Sequence, residues 1–162
     1  MKNETPEKDL LTHNMEPASH ISYQVTIVSN LMAFGGTKEN QKRYGLTLCQ
    51  WRIIGSIANA GPLTLGEIAK IIFHDKSTLS RAATELEKKG LLKRLANDQH
   101  KSSPILAFTK QGKAFYRETE PHFIRQAEEL TAGLNLQEKQ QLCFLLDKLK
   151  NHAVNVRRSY ES

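Results

Sequence analysis

The 162-residue chain has only two cysteines, one tryptophan and 7% aromatic residues. Each scarcity excludes something. Cys49 and Cys143 lie far apart with no Cys-x-x-Cys spacing, so neither a disulfide framework nor a zinc ribbon is expected, and a reducing compartment suits the chain. The first nineteen residues alternate charged, polar and proline positions, and no run approaches the ~18 apolar residues of a membrane span. The expectation is a soluble cytoplasmic protein without a membrane partner. His13, His20, His74, His100, His122 and His152 form no HxxxH or Cys/His pattern, so no metal site is expected. Nucleophile elbow, P-loop and HExxH are all missing. No catalytic residue and no cofactor are therefore expected, and the sequence points away from an enzyme.

Positive charge is what the chain has in excess, with 23 Lys and Arg against 17 Asp and Glu, a formal net of +6. It is unevenly spread. Within about one-sixth of the chain Lys76, Arg81, Lys88, Lys89, Lys93, Arg94 and Lys101 face only Glu85, Glu87 and Asp98, which favours a nucleic-acid partner. Residues 1–18 lean the other way, with Glu4, Glu7, Asp9 and Glu16 against Lys2 and Lys8. They read as a loosely ordered arm.

The basic region is also periodic. Leu65, Ile68, Ala69 and Ile72 recur at helical spacing behind a Thr64/Glu67 capping box. A second helix opens at Asp75, with Leu79, Ala82, Ala83 and Leu86 on one stripe and Gly90 placed as a left-handed closing residue. Ser77, Arg81, Thr84 and Lys88 cluster within roughly 60° of the direction opposite Leu79, at about 100° per residue. A face of hydroxyls and cations without a carboxylate suits a polyanion that also offers hydrogen-bonding edges. Two such helices meeting at a tight bend form a helix-turn-helix, with Lys76, Ser77, Thr78, Ser80, Arg81 and Thr84 as candidate DNA contacts. Arg81 is the first choice for a base edge, its competing partner being Glu85 at i+4. Ser77 and Thr78 are candidates to receive a phosphate at the helix N-terminus.

After Gly90 the period changes. Leu91 to Ala96 and Ile105 to Thr109 are short β-compatible runs separated by NDQHKSSP, which predicts a two-stranded hairpin wing with Lys101 at its tip. Upstream, Ile21, Val25, Val28 and Met32 predict a helix from Ser19 to Phe34 closing at Gly35 and Gly36. A second helix from Thr47 to Asn59 is stopped by Gly61 and Pro62. Downstream, a long helix over 110–132 contains Pro121, and a last one opens at an Asn135/Glu138 pair. That last helix carries Leu142, Leu145, Leu146, Leu149, Ala153 and Val156 on one side. The first and last stripes need a partner surface, within the chain and across a two-fold axis, so a homodimer is expected.

Four stretches, YGLTLCQWRII at 44–54, LTLGEIAKII at 63–72, DKSTLSRAATELEKKGLLKR at 75–94 and LAFTKQGKAF at 106–115, resemble in content and order the multiple-antibiotic-resistance regulator (MarR) family. The resemblance implies a mainly α fold with a small β-hairpin wing. Its parts would be an arm over 1–18, a single domain over 19–156 and a tail over 157–162. Within the domain, 19–46 and 111–156 would be dimerisation helices and 47–110 the winged helix-turn-helix DNA-binding lobe. It further implies a homodimer on a pseudo-palindromic operator in double-stranded DNA. Relatives usually carry an acidic residue at the position of His100 and an arginine at that of Ser102; here the tip shifts the burden of recognition onto the second helix, with Lys101 supplying backbone charge. The Trp51-Arg52 pair resembles members that govern aromatic-acid catabolism, which implies a small organic anion effector. His20, Ser22, Tyr23 and Arg43 are candidates for the same pocket; the competing reading keeps Trp51 in the core. The function expected from the resemblance is a sequence-specific repressor released by an aromatic or phenolic acid or its CoA thioester. The alternatives are a sequence-tolerant architectural DNA binder and a redox- or metal-responsive regulator.

Overall fold

The computed structural model describes residues 20–161. The arm expected over 1–18 lies outside them. The elements in order are α1 (Ile21–Tyr44), α2 (Leu48–Ala60), β1 (Leu63–Thr64), α3 (Leu65–Ile72), α4 (Lys76–Lys88), β2 (Leu92–Leu95), β3 (Ile105–Phe108), α5 (Lys110–Leu130) and α6 (Leu136–Glu161). The fold is mainly α with a small antiparallel sheet, a winged helix-turn-helix. The chain divides into two compact units, one ending at Leu48 and one beginning at Cys49.

In the first unit, α1 does not stop at Gly35 and Gly36 as the sequence predicts but continues to Tyr44. A glycine inside a helix costs only about 1 kcal/mol, and the following Lys, Glu, Gln and Arg residues are good helix formers. Termination falls instead to Gly45, whose left-handed φ of 63° lets its amide donate to the Gln41 carbonyl, with Lys42 and Arg43 in the last turn. Ile21, Val28 and Leu31 on this helix are exposed.

The second unit holds the winged lobe and the last two helices. Its core comes from α2 (Ile53, Ile54, Ile57), α3 (Ile68), α4 (Leu79, Ala82, Ala83, Leu86) and the sheet region (Leu91, Leu92, Leu106, Ala107). The α4 stripe is buried as its periodicity predicts, whereas of the α3 stripe Ile68 is buried and Leu65, Ala69 and Ile72 are half-buried. The expected two-stranded hairpin is a three-stranded sheet of order β1-β3-β2, because Leu63 and Thr64 pair antiparallel with Leu106 and Ile105. Two residues are too few to display a period, so this strand leaves no sequence signal. Leu92 pairs with Phe108 and Leu95 with Ile105 across the wing.

Gly90, at φ 70°, closes α4 in a Schellman motif: its amide donates to Glu87 O at 2.8 Å and that of Leu91 to Leu86 O at 3.0 Å. The chain then returns to this point at the start of α5, where Thr109 donates from its amide (3.1 Å) and, more weakly, its hydroxyl (3.4 Å) to Leu91 O. α5 continues through Pro121. α6 opens on the expected reciprocal pair, Glu138 N to Asn135 Oδ1 at 3.0 Å and Asn135 N to Glu138 Oε2 at 2.8 Å. Residues 157–161, expected as a tail, continue α6 as helix.

Candidate nucleic-acid interface

α3 is fixed at its start by Thr64, whose hydroxyl accepts from the Glu67 amide at 3.2 Å while Glu67 Oε2 accepts from the Thr64 amide at 2.7 Å. These bonds hold the Glu67 carboxyl below its ordinary range. The helix ends on Phe73, a non-glycine residue at φ 51° and ψ 48°, whose amide returns to Ala69 O. This left-handed residue turns the chain into α4. No sequence signal marks it, since glycine or asparagine normally occupies such a position.

Asp75 then caps α4. Its Oδ1 accepts from the Thr78 amide at 2.8 Å and the Ser77 hydroxyl at 2.7 Å, and Oδ2 lies 3.1 Å from His74 Nδ1. The Ser77 hydroxyl first, and the Thr78 amide after it, drive the Asp75 carboxyl well below the usual carboxylate range. The phosphate role considered for Ser77 and Thr78 therefore meets a carboxylate already seated on that helix end. The cap also sets a pH dependence. A depressed folded pKa contributes stability that is present above the unfolded value, ordinarily 3.8, and lost as pH falls through the lower folded value. In thermal melts below pH 4, Asp75→Asn is expected to flatten this acid loss, because asparagine keeps the acceptor and does not titrate. An acid slope unchanged in the variant would remove Asp75 as its source.

The apolar stripe of α4 is buried, and the opposite side carries the predicted contacts. Lys76, Ser77 and Arg81 are exposed; Thr78, Ser80 and Thr84 are half-buried. Arg81 Nη2 lies 3.5 Å from the Thr78 hydroxyl, at the limit of a hydrogen bond. Glu85, the competing partner for Arg81, is taken instead by Lys88 at 2.8 Å, which raises the Lys88 pKa and leaves the Arg81 guanidinium available. Arg94 was not among the predicted contacts. From β2 it pairs with Glu87 at 2.8 Å and reaches the Thr84 hydroxyl at 3.4 Å, adding a positioned cation beside α4. The pair is seven residues apart and joins a helix to a strand, so no single-element pattern reveals it.

At the wing tip, Asn97 Oδ1 lies 3.2 Å from the donating amides of both Gln99 and His100, and Asn97 Nδ2 donates to Ser103 O at 2.8 Å. This turn carries His100, Lys101 and Ser102 exposed at the end of the hairpin.

The candidate effector residues divide between the units. His20, Ser22, Tyr23 and Arg43 belong to the first, and Trp51 and Arg52 to the second. Within α1, Tyr23 and Arg43 are separated by about 30 Å of axial rise, so one copy of this helix does not bring them together. His20 Nδ1 is 3.2 Å from the Ser22 hydroxyl, and the Arg43 guanidinium lies over Tyr44, 5.4 Å from the ring centre. Trp51 stacks on Phe123 with ring centres 3.3 Å apart and lies 6.2 Å from Tyr116. Arg52 is exposed. Burial first raises the Cys49 thiol pKa above its ordinary value, the direction that disfavours a thiolate. Among the described residues no group of three His, Cys, Asp or Glu is placed to hold a metal ion, and no helix is long and apolar enough to cross a membrane.

Comparison with known proteins agrees with this geometry. Residues 44–101, running from the last residue of α1 to the wing tip, match the model of the MarR family. Over that stretch the chain is similar to the MarR family. Similar proteins include the homoprotocatechuate degradative operon repressor of Escherichia coli, 29% identical over 109 residues that cover 66% of this chain and 72% of that protein. Among solved structures, a MarR/EmrR family transcriptional regulator from Acinetobacter sp. ADP1 superposes with a TM-score of 0.80 at 23% identity, covering 87% of this chain and 99% of that one. Escherichia coli MarR C80S complexed with operator DNA superposes with a TM-score of 0.69 at 25% identity, over 79% of this chain and 91% of that one.

Proposed function

We propose that the protein is a homodimeric repressor that reads a pseudo-palindromic operator through α4 and is released by a small aromatic or phenolic acid or its CoA thioester. The observation that carries the DNA reading is the Lys76, Ser77 and Arg81 side of α4, exposed on a helix held from behind by Leu79, Ala82, Ala83 and Leu86. Lys76, Thr78, Ser80 and Thr84 flank Arg81 along this face, and Lys101 extends the positive surface to the wing. The dimer reading rests on α6, where Leu142, Leu145, Leu146 and Leu149 stand between 41% and 50% exposed in a single chain. A stripe of that kind is the surface a second copy covers, holding two α4 helices at a fixed spacing. Repression and an aromatic effector are supported by the Escherichia coli relative, a repressor of an operon that degrades an aromatic acid. Release requires the effector to favour a dimer state that misfits the operator; equal affinity for both states would shift nothing.

Arg81→Ala tests the recognition step. On a duplex selected from a random library, affinity is expected to fall by about 1–3 kcal/mol, with preference relaxed at one base position and the thermal midpoint unchanged. Equal loss on selected and random DNA would reduce Arg81 to a phosphate contact. The tip His100-Lys101-Ser102, which lacks an arginine, favours the architectural reading as the second one. A preference of less than ~10-fold for selected over random duplex at physiological salt would establish that reading; ~10³-fold or more is expected for a specific regulator.

A further inference from the structure

The bend that leads into α4 faces the last turns of α6. Phe73, the left-handed residue at this bend, is 50% exposed, and with Lys150, Ala153, Val154 and Arg157 it lines a cavity of about 170 Å³. The four α6 positions fall at i, i+3, i+4 and i+7, so one face of that helix is turned to the bend. Phe73 precedes Lys76, the first residue of α4, by three positions. The end of α6 therefore stands beside the start of the helix proposed to enter DNA.

That end of α6 is strongly basic. From Lys148 to Arg158 it carries Lys148, Lys150, Arg157 and Arg158 and no Asp or Glu, and all four cations are exposed. The apolar stripe proposed to meet a second copy does not account for them, since charged side chains are depleted from the core of an interface. Nor does the helix dipole, whose pull on cations is confined to the last turn and so reaches Arg158 but not Lys148 or Lys150. Lys150 is bonded to Asp147 on its own helix, an exposed i, i+3 pair weak enough to exchange for a stronger anion. Cations on neighbouring elements without a carboxylate among them suit a polyanion. We propose that the last turns of α6 are a second backbone-binding element for double-stranded DNA, in which Lys150 and Arg157 neutralise phosphates next to those reached from the start of α4. Such contacts carry no sequence information and fix the orientation of the lobe on the duplex. This role rests on the reading of α4 as the DNA-recognition helix.

The test is the salt dependence of binding by the full-length protein, followed by fluorescence anisotropy on a selected and a random duplex between about 50 and 200 mM salt. Loss of two phosphate contacts lowers the slope of log affinity against log salt by about 1.8, so the advantage of the parent over Lys150→Ala/Arg157→Ala is expected to shrink about ten-fold across that range, alike on both duplexes. Lys150→Arg/Arg157→Lys keeps both charges and is expected to retain the parental slope. Lys139→Ala, near the other end of α6, should leave it unchanged. A parental slope in the alanine double variant, a loss confined to the selected duplex, a lowered slope in the charge-keeping variant, or an equal fall in Lys139→Ala would each overturn the proposal. So would a changed oligomeric mass of the alanine double variant in analytical ultracentrifugation, which would make the two cations assembly contacts. A parent that binds neither duplex removes the DNA reading and this role together; a parent that binds both while the double variant keeps its slope loses only the role of α6.

Discussion

Gly112→Ala is expected to lower the thermal midpoint by about 10 °C, the consequence of a loss of about 3 kcal/mol in a chain of this size. Taken as a helix position alone, the substitution should stabilise, because alanine exceeds glycine by about 1 kcal/mol inside a helix. The packing reverses the sign. A Cβ built on Gly112 falls inside the contact distance of the Leu91 carbonyl oxygen, 2.8 Å from its carbon and 3.0 Å from Phe108 Cδ1. That carbonyl is held by the amide and hydroxyl of Thr109, whose hydroxyl also donates to Gly90 O at 2.6 Å and accepts from the Gly112 amide at 2.9 Å. Relief therefore means lifting α5 away from the end of α4 and breaking its own N-cap. Melts at one fixed protein concentration test this, since an associating chain has a concentration-dependent midpoint. A midpoint within about 2 °C of the parent would show that α5 can shift without cost.

The same junction shows which parts of the molecule were legible in the sequence. Thr64 with Glu67, Asp75, Gly90 and Asn135 with Glu138 announce their roles because each cap or stop is a chemical device acting over three or four residues. The buried stripe of α4, and Ile68 on α3, are legible for a similar reason, since periodicity within one helix records which side meets the core. The end of α1 was not, because Gly35 and Gly36 weaken a helix without forbidding it, and the effective stop is the left-handed Gly45. β1 is shorter than any pattern, and Phe73 takes a backbone conformation that its residue type does not advertise. The site divides in the same way. Arg81 and its neighbours follow from α4 alone, whereas Arg94 reaches Thr84 and Glu87 from a strand. The cavity beside the bend brings Phe73 to residues 150–157, and no local pattern joins them.

Leu79→Ala is expected to cost 2–5 kcal/mol, the range for truncating a buried leucine whose surroundings close only partly around the cavity, given roughly that much at stake per site. Leu79 is fully buried and sits between Thr78 and Ser80, directly behind the proposed DNA-facing side of α4. Against a total stability of about 5–15 kcal/mol for a typical domain, the loss removes about a third at the middle of both ranges. Its signature differs from that of Arg81→Ala. Truncating Leu79 lowers the thermal midpoint strongly and weakens binding to selected and random duplex alike, because the scaffold that presents every contact is loosened. Truncating Arg81 leaves the midpoint in place and reduces the preference between the two duplexes. Thermal melts paired with binding to both duplexes resolve the two cases. A Leu79→Ala protein with an unshifted midpoint would mean that α4 is not anchored through its apolar stripe, and the exposed polar face would then lack the rigid support on which its reading as a DNA-recognition surface depends.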